Sequence, residues 1–364
     1  MSVKEQVRVI SVDITRKEIT SDDIPELLEI YRLTKLPLAP THVSIEIMGV
    51  PSAVVNALRR VVLDEMPGYA LKVPIDGFST ELTTECFMIP QFVNNRISLL
   101  RLRPQIPAEV IAKLRLKLDI SNQNATFLNV YAGDLEVVEG SMTEPIFNPT
   151  TVIAMLQPGK RIVINGIHIS TGYGRDNGVY NVACRGTYTH LDLPQHSDSE
   201  MRDANGAAVD LSGYKVSTLV ANPRHHRLSA IIPATTANLS EARAVFADAC
   251  AVIIARLRLI YSTIERQTSG KANHRGIQFN VIQLESGLNE GTLQIPGETH
   301  TIGELLRRII YEITPEISNV MYNISSHENL LSLSVRHSED VTDILMKAIQ
   351  RSVAIFEAIQ KGII

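Results

Sequence analysis

Ten histidines and three cysteines are the residues of this 364-residue sequence most suited to metal or nucleophilic chemistry, and their spacing restricts what they can do. Cys86, Cys184 and Cys250 are too widely separated for a CxxC knuckle or a disulfide framework, and no HExxH occurs. The set best placed for a metal is Cys184, His190 and His196 in CRGTYTHLDLPQH, three ligands of the kind that hold zinc with one position open. Its competing reading, a buried cysteine followed by surface histidines, is the one adopted, so the expectation is no metal and no cofactor. His225 and His226 are adjacent, and adjacent residues of a strand face opposite ways, which makes them poor co-ligands. GYGRDNG at residues 172–178 matches neither GxxxxGK[ST] nor GxGxxG and is flanked by strand-like sequence; it reads as a β-turn rather than a phosphate cradle. No GxSxG elbow occurs, and Glu81 with Glu85 and Asp198 with Glu200 read as solvated loop charges. No catalytic residue is nominated.

The paired arginines Arg59 and Arg60 remain. On a helix they diverge by about 100°, so at least one lies at the edge of the apolar stripe. There it either snorkels for solubility or offers a planar donor fork to a carboxylate or carbonyl of another subunit.

The elements that carry them recur. NALRRVVLDEMP (residues 56–67) and ELLRRIIYEITP (residues 304–315) align without gaps, matching Leu58/Leu306, Arg59/Arg307, Arg60/Arg308 and Pro67/Pro315. Each follows a strand-like run, HVSIEIMGV or TLQI, and residues 301–304 (TIGE) can form a capping box. Ile302, Leu305, Leu306, Ile309, Ile310 and Ile313 fall on one broad helical face that must be covered. Two long amphipathic helices are expected, one over residues 238–264 carrying Arg256 and Arg258, and one from Val341 to Ile359 with Gly362 as its stop. Repeated strand, helix, strand and long helix predict two halves packed as a pseudo-symmetric pair. Its internal dimerisation face would be Leu58 and Val62 of the first half with Ile302, Leu305, Leu306, Ile309 and Ile310 of the second. QTSGKANHRG (residues 267–276) reads as the linker between them. Such a tether sets an effective concentration on the order of mM, about 4 kcal/mol better than a separate partner at about 1 μM. Alternating β-branched runs between the Pro/Gly-rich stretches at residues 67–77 and 192–213 read as a β-rich insert.

Lys+Arg 35 against Asp+Glu 39 leaves a net charge of -4, and with no Trp and 5% aromatics neither a phosphate-neutralising surface nor a stacking platform is expected. Direct sequence-specific nucleic-acid binding is therefore not expected. The first residues mix acids and bases without an apolar core, unlike a signal peptide, and the most apolar run, residues 249–255, falls far short of the roughly 20 residues a bilayer requires. The chain reads as intracellular, with no membrane partner.

VVNALRR (residues 54–60), ending in EMP (residues 65–67), resembles the signature helix of the bacterial RNA polymerase alpha subunit and of eukaryotic RNA polymerase II subunit 3. QFVNNRI (residues 91–97) resembles the segment that follows in that family, and ETHTIGELL (residues 298–306) the opening motif of subunit 11. Both in one chain resemble the fused subunit 3/11 proteins of large cytoplasmic DNA viruses, a likeness strengthened by PIFNPT (145–150), LQPGK (156–160), LSGYK (211–215) and NPRHHRL (222–228). The resemblance covers nearly all of residues 41–364.

It implies an α+β fold with two alpha-like dimerisation modules, subunit 3 and subunit 11 in type, packed as an intrachain pseudo-dimer with a β-rich insert domain in the first. The implied division is an N-terminal extension (1–40), a subunit 3-like module (41–68 and 215–266), the insert (69–214), the linker (267–276) and a subunit 11-like module (277–364). The implied function is a non-catalytic assembly subunit of a multisubunit DNA-directed RNA polymerase. Its implied partners are the second-largest subunit, a small subunit 10-like protein and other polymerase subunits, with Asn56, Arg59, Arg60 and Arg96 at the partner interface. A virus-encoded chain of this kind would work in the host cytoplasm and the virion. The cysteine cluster that binds zinc in the eukaryotic subunit 3 insert is missing, and Glu304 stands where the subunit 11 motif commonly has Asn. The alternatives are a free-standing interaction scaffold with a duplicated α+β fold and a metal hydrolase using Cys184, His190 and His196.

Overall fold

Alternation in THVSIEIM buries Val43, Ile45 and Ile47 on one face of a strand, and the helix that follows covers that face with Val54, Val55 and Leu58. The same strand-and-helix unit recurs in the second half of the chain. The computed structural model describes residues 7–16, 39–74, 90–141, 146–191, 223–232, 240–270, 276–325 and 327–364. The first described elements are β1 (Arg8–Arg16), β2 (Thr41–Met48), α1 (Ser52–Arg60), a π-helical turn (Val61–Glu65) and β3 (Pro67–Lys72). Next come α2 (Pro90–Ser98), α3 (Ala108–Lys113), β4 (Arg115–Ser121), β5 (Leu128–Tyr131), β6 (Glu136–Glu139), β7 (Val152–Leu156) and β8 (Arg161–Tyr173). Then follow β9 (Cys184–His190), β10 (His225–Ile232) and α4 (Ser240–Thr268). The last are β11 (Gln278–Gln283), β12 (Asn289–Pro296), α5 (His300–Ile313), β13 (Asn319–Ser325), β14 (Leu330–His337) and α6 (Val341–Ile363). Helices and antiparallel sheets segregate as an α+β fold requires.

Two four-stranded antiparallel sheets share one plan, β1-β2-β10-β9 and β11-β12-β14-β13. The likeness extends to register. Thr41 pairs with Ile232 and Met48 with His225; likewise Asn289 pairs with His337 and Pro296 with Leu330. One sequence offset carries Thr41 onto Asn289, Ser52 onto His300 and Leu58 onto Leu306. In the second half α5 leads directly to β13. In the first, a separate unit lies between α1 and β9, with a β3-β8-β4-β6 sheet and a β5-β7 pair. That unit has its own core around Leu116, Leu118, Ile153, Leu156, Ile164 and Ile167. It is tied back to the first half where Arg103 pairs with Glu241 in the first turn of α4 and Gln105 Nε2 donates to Asp248 at 3.1 Å.

The two sheets do not have separate cores. One continuous cluster joins Val54, Leu58, Val61 and Val62 to Ile302, Leu305, Leu306, Ile309 and Ile310, and continues through Phe246 and Leu257 of α4 to Ile349 and Phe356 of α6. α1 packs on α5, and α4 runs along α6. Each such side chain, fully removed from water, contributes about 1.5–3 kcal/mol before chain entropy.

Several boundaries differ from expectation. β9 lies inside the 69–214 range assigned to the insert, yet it is the edge strand of the first sheet, because its backbone pairs with β10. Within the 1–40 extension, β1 supplies the opposite edge by pairing with β2. LSGYK lies outside the described residues, as do Cys86, Glu81, Glu85, His196, Asp198 and Glu200. α4 continues through Thr268, so Gln267 is helical; its side chain bridges to the second half by donating to Ile277 O at 2.6 Å and accepting from Phe279 N at 2.8 Å. Gly362 does not stop α6, which runs to Ile363. A Cβ there would lie 2.7 Å from Val9 Cγ2 and 2.8 Å from Val9 Cβ, so the glycine permits β1 to cross the helix closely.

A shared core predicts shared unfolding. Leu58→Ala and Leu306→Ala should each cost about 2–5 kcal/mol and lower the same calorimetric transition. Two transitions, each moved by only one of the substitutions, would show that the halves fold independently.

Candidate functional site

The densest polar chemistry of the described residues lies where the end of α1 meets the start of α5. α5 is N-capped by Thr299, whose Oγ1 accepts from Thr301 N at 3.2 Å. The expected capping box at residues 301–304 is not formed, since Thr301 and Glu304 have other partners. Thr301 Oγ1 donates to Glu65 Oε1 at 2.5 Å, and Glu304 accepts from Arg307 Nε and Nη2 at 2.8 and 2.7 Å.

Glu65 is the centre of the cluster, with its side chain 2% exposed. It also accepts from Thr299 Oγ1 at 3.0 Å and from Arg256 Nη1 of α4 at 2.5 Å, and its carbonyl accepts from Arg256 Nη2 at 3.1 Å. Arg60 Nε donates to Thr301 Oγ1 at 2.9 Å and lies 3.8 Å from Glu65 Oε1. The π-helical turn ending α1, closed by Met66 N donating to Val61 O at 3.1 Å, delivers Glu65 to this position. Burial alone would raise the Glu65 carboxyl, but the hydrogen bonds from Thr301 and Arg256, the Arg256 charge and the Thr299 hydroxyl together hold it below the ordinary carboxylate value. Glu298, 3.9 Å from Arg256, goes the other way: burial raises it, the Arg256 charge opposes that, and Glu65 adds to the rise.

The nominated residues are thus distributed over distinct places. Leu58, Val62, Ile302, Leu305, Leu306, Ile309 and Ile310 are all buried in the α1–α5 contact. Arg60 is engaged across that contact, with its side chain 33% exposed. Arg59 turns to the other edge of α1, donating to Asn56 Oδ1 through Nε and Nη2 at 3.0 and 2.9 Å, with Nη1 3.5 Å from Gly186 O of β9. Arg59 with Asn56 and Arg307 with Glu304 are therefore the same device at matched positions of the two halves. Arg96 is apart from these, exposed on α2, with Nη1 3.4 Å from Val152 O. Beside Asn56 and Glu304 opens a groove of about 290 Å³, lined also by Pro51, Ser52, Ala53, Tyr188, Arg307 and Arg308.

Cys184, exposed rather than buried as expected, and His190 stand at opposite ends of β9, about 20 Å apart at strand rise, so the strand separates them as co-ligands. His190 instead shares a hydrogen bond with buried His226, Nδ1 to Nδ1 at 2.9 Å, and His226 Nε2 contacts Val50 O at 3.0 Å. On the other face His225 Nε2 meets Glu46 Oε1 at 2.6 Å. Residues 174–177 form a turn after β8, where Arg175 N donates to Asp64 O at 3.0 Å.

Sequence reasoning missed Glu65 and its link to Arg256. The signal was an acid on the apolar stripe of the first repeat, at the position where the second repeat has Ile313.

No family model matches the chain. It is 34% identical over 335 residues to the protein named "DNA-directed RNA polymerase RPB3-11 homolog" of African swine fever virus (isolate Pig/Kenya/KEN-50/1950), covering 90% of this chain and 89% of that one. The protein of the same name from isolate Tick/Malawi/Lil 20-1/1983 is 33% identical over the same shares of both chains.

A carboxylate held below its ordinary value stabilises the fold above that value, 4.5, and the contribution is lost as pH falls through the lower folded value. Glu65→Gln should therefore cost about 1–3 kcal/mol at pH 7 and flatten the acid limb of a stability–pH curve. Glu298 has the opposite sign, because a raised folded value favours the protonated carboxyl and makes the charged one a burden at neutral pH. Glu298→Gln should raise stability at pH 7. Denaturant melts from pH 3 to 8 check both; equal acid limbs for wild type and Glu65→Gln would remove the carboxylate from this role.

Proposed function

The chain belongs to the family of viral DNA-directed RNA polymerase RPB3-11 homologues, and from that premise we propose that it is a non-catalytic assembly subunit supplying both members of an alpha-like pair in one polypeptide. In this reading the subunit 3-like module is built from residues 41–68 and 215–266, with β9 completing its sheet. Residues 277–364 are the subunit 11-like module, and the unit between α1 and β9 is the insert. The observation that carries it is the matched sheet order and register of two halves around one apolar core.

The polar groups of the seam support a structural task. Glu65, Arg60, Arg256, Thr299 and Thr301 satisfy one another across three helices, leaving the cluster occupied with holding the halves together. Asn56 and Arg59, at the other edge of α1, are the residues assigned to docking the second-largest polymerase subunit. Arg96 on α2 offers a further contact for that subunit or for a small subunit 10-like protein. The place of action is the host cytoplasm and the virion; no helix among the described residues is long and apolar enough to cross a membrane.

Arg59 and Arg60 thereby take different roles, which co-expression with the other polymerase subunits can separate. Wild-type chain should recover the second-largest subunit. Arg59→Glu should reduce that recovery while leaving the melting temperature unchanged. Arg60→Glu, which sets a carboxylate beside Glu65, should lower stability by about 1–3 kcal/mol. A wild-type chain that purifies without any polymerase subunit would contradict the assembly reading and favour a free-standing scaffold.

A further inference from the structure

The offset that carries β2 and α1 onto β12 and α5 generates two related seats where these helices cross. One is filled from within: Glu65 lies against Thr299 and Thr301 at the start of α5, beside Arg60, while His300 packs edge-on against Tyr322 at 5.7 Å between ring centroids. The same offset carries Pro51, Ser52 and Ala53 onto Thr299, His300 and Thr301, Arg60 onto Arg308, and Glu65 onto Ile313. Strand register equates Tyr188 with Tyr322, since they pair with Leu228 and Leu333 at matched positions. The second seat is therefore the groove of about 290 Å³ bounded by Ser52, Ala53, Tyr188 and Arg308.

Among the described residues it is open, for reasons visible in the sequence. Serine replaces the imidazole that fills the space beside the tyrosine, and isoleucine replaces the carboxylate. Ile313 packs against the shared core instead of turning to the arginine. At the groove Arg307 holds Glu304, and next to it Glu312 lies 2.9 Å from Arg224 and 3.7 Å from Arg308. The volume is near the lower end for small-ligand clefts and suits one or two side chains.

Resting on the assembly reading above, we propose that this open seat receives an aspartate or glutamate side chain from a segment of a partner polymerase subunit, in the place that Glu65 occupies in the related seat. Arg308 would supply the charged donor, with the Ser52 hydroxyl and the Asn56 amide as further polar groups. The interface is thus composite: α1 and α5 both contribute, and neither half alone forms it.

The test uses the full chain co-expressed with the other polymerase subunits, with a photo-cross-linking residue at Ala53. A cross-link to an acid-containing segment of one polymerase subunit is expected, and Arg308→Glu should lower recovery of that subunit about tenfold or more. Ser52→Trp, which adds bulk without charge, should lower it too, with both variants melting as wild type. Wild-type recovery in both variants, or a cross-link only to nucleic acid or to a second copy of this chain, would overturn the seat while leaving the assembly reading in place. If unmodified wild-type chain recovers no polymerase subunit, the assembly reading falls and the seat with it.

Discussion

An amphipathic helix that is apolar over a wider arc than its own sheet can cover must find a second cover. α1 and α5 are both in that position, and each becomes the other's cover. In α5, Ile302, Leu305, Leu306, Ile309 and Ile310 are all fully buried, and the sheet beneath accounts for only one side of that arc. Once these helices meet, α4 and α6 are brought alongside each other, and their apolar stripes close the same core.

The seam is similar in plan at its two ends but differs in chemistry. At one end a buried carboxylate gathers donors from α4 and α5; at the other its counterpart is an isoleucine and, among the described residues, the groove is open. A buried ion pair adds little net stability over a well-packed apolar one, but a buried carboxylate without its partners is costly. Glu65 thus acts chiefly against wrong arrangements, since any slip of α5 along α1 would strand it. A chain that carries both halves can afford such asymmetry, because each end of the seam has its own sequence.

Much of this was legible in the residues. The gapless LeuArgArg repeat predicted the paired helices, and helical periodicity placed α4 and α6 to within a few residues of their bounds. The misses share a cause: they depend on contacts between segments remote in sequence. β9 returns to the first sheet only after the intervening unit, and nothing local in CRGTYTH distinguishes it from that unit's own strands. Gly362 looked like a helix stop because glycine is common there; its actual neighbour, Val9, is at the other end of the chain. Residues 301–304 have the pattern of a capping box, but Thr301 is drawn to Glu65 and Glu304 to Arg307, so the cap falls to Thr299. Such tertiary competition is invisible to spacing alone.

The claim on which these relations rest is that the two helix-bearing halves form one particle through their own contact, with the tether only raising the odds of their meeting. It is tested most directly by introducing a protease site after Gly270, cutting the folded chain and running the product on size-exclusion chromatography with light scattering at sub-micromolar concentration. A single particle with the mass of the uncut chain, containing both fragments, is expected. Two separately eluting fragments, each still folded by circular dichroism, would contradict it.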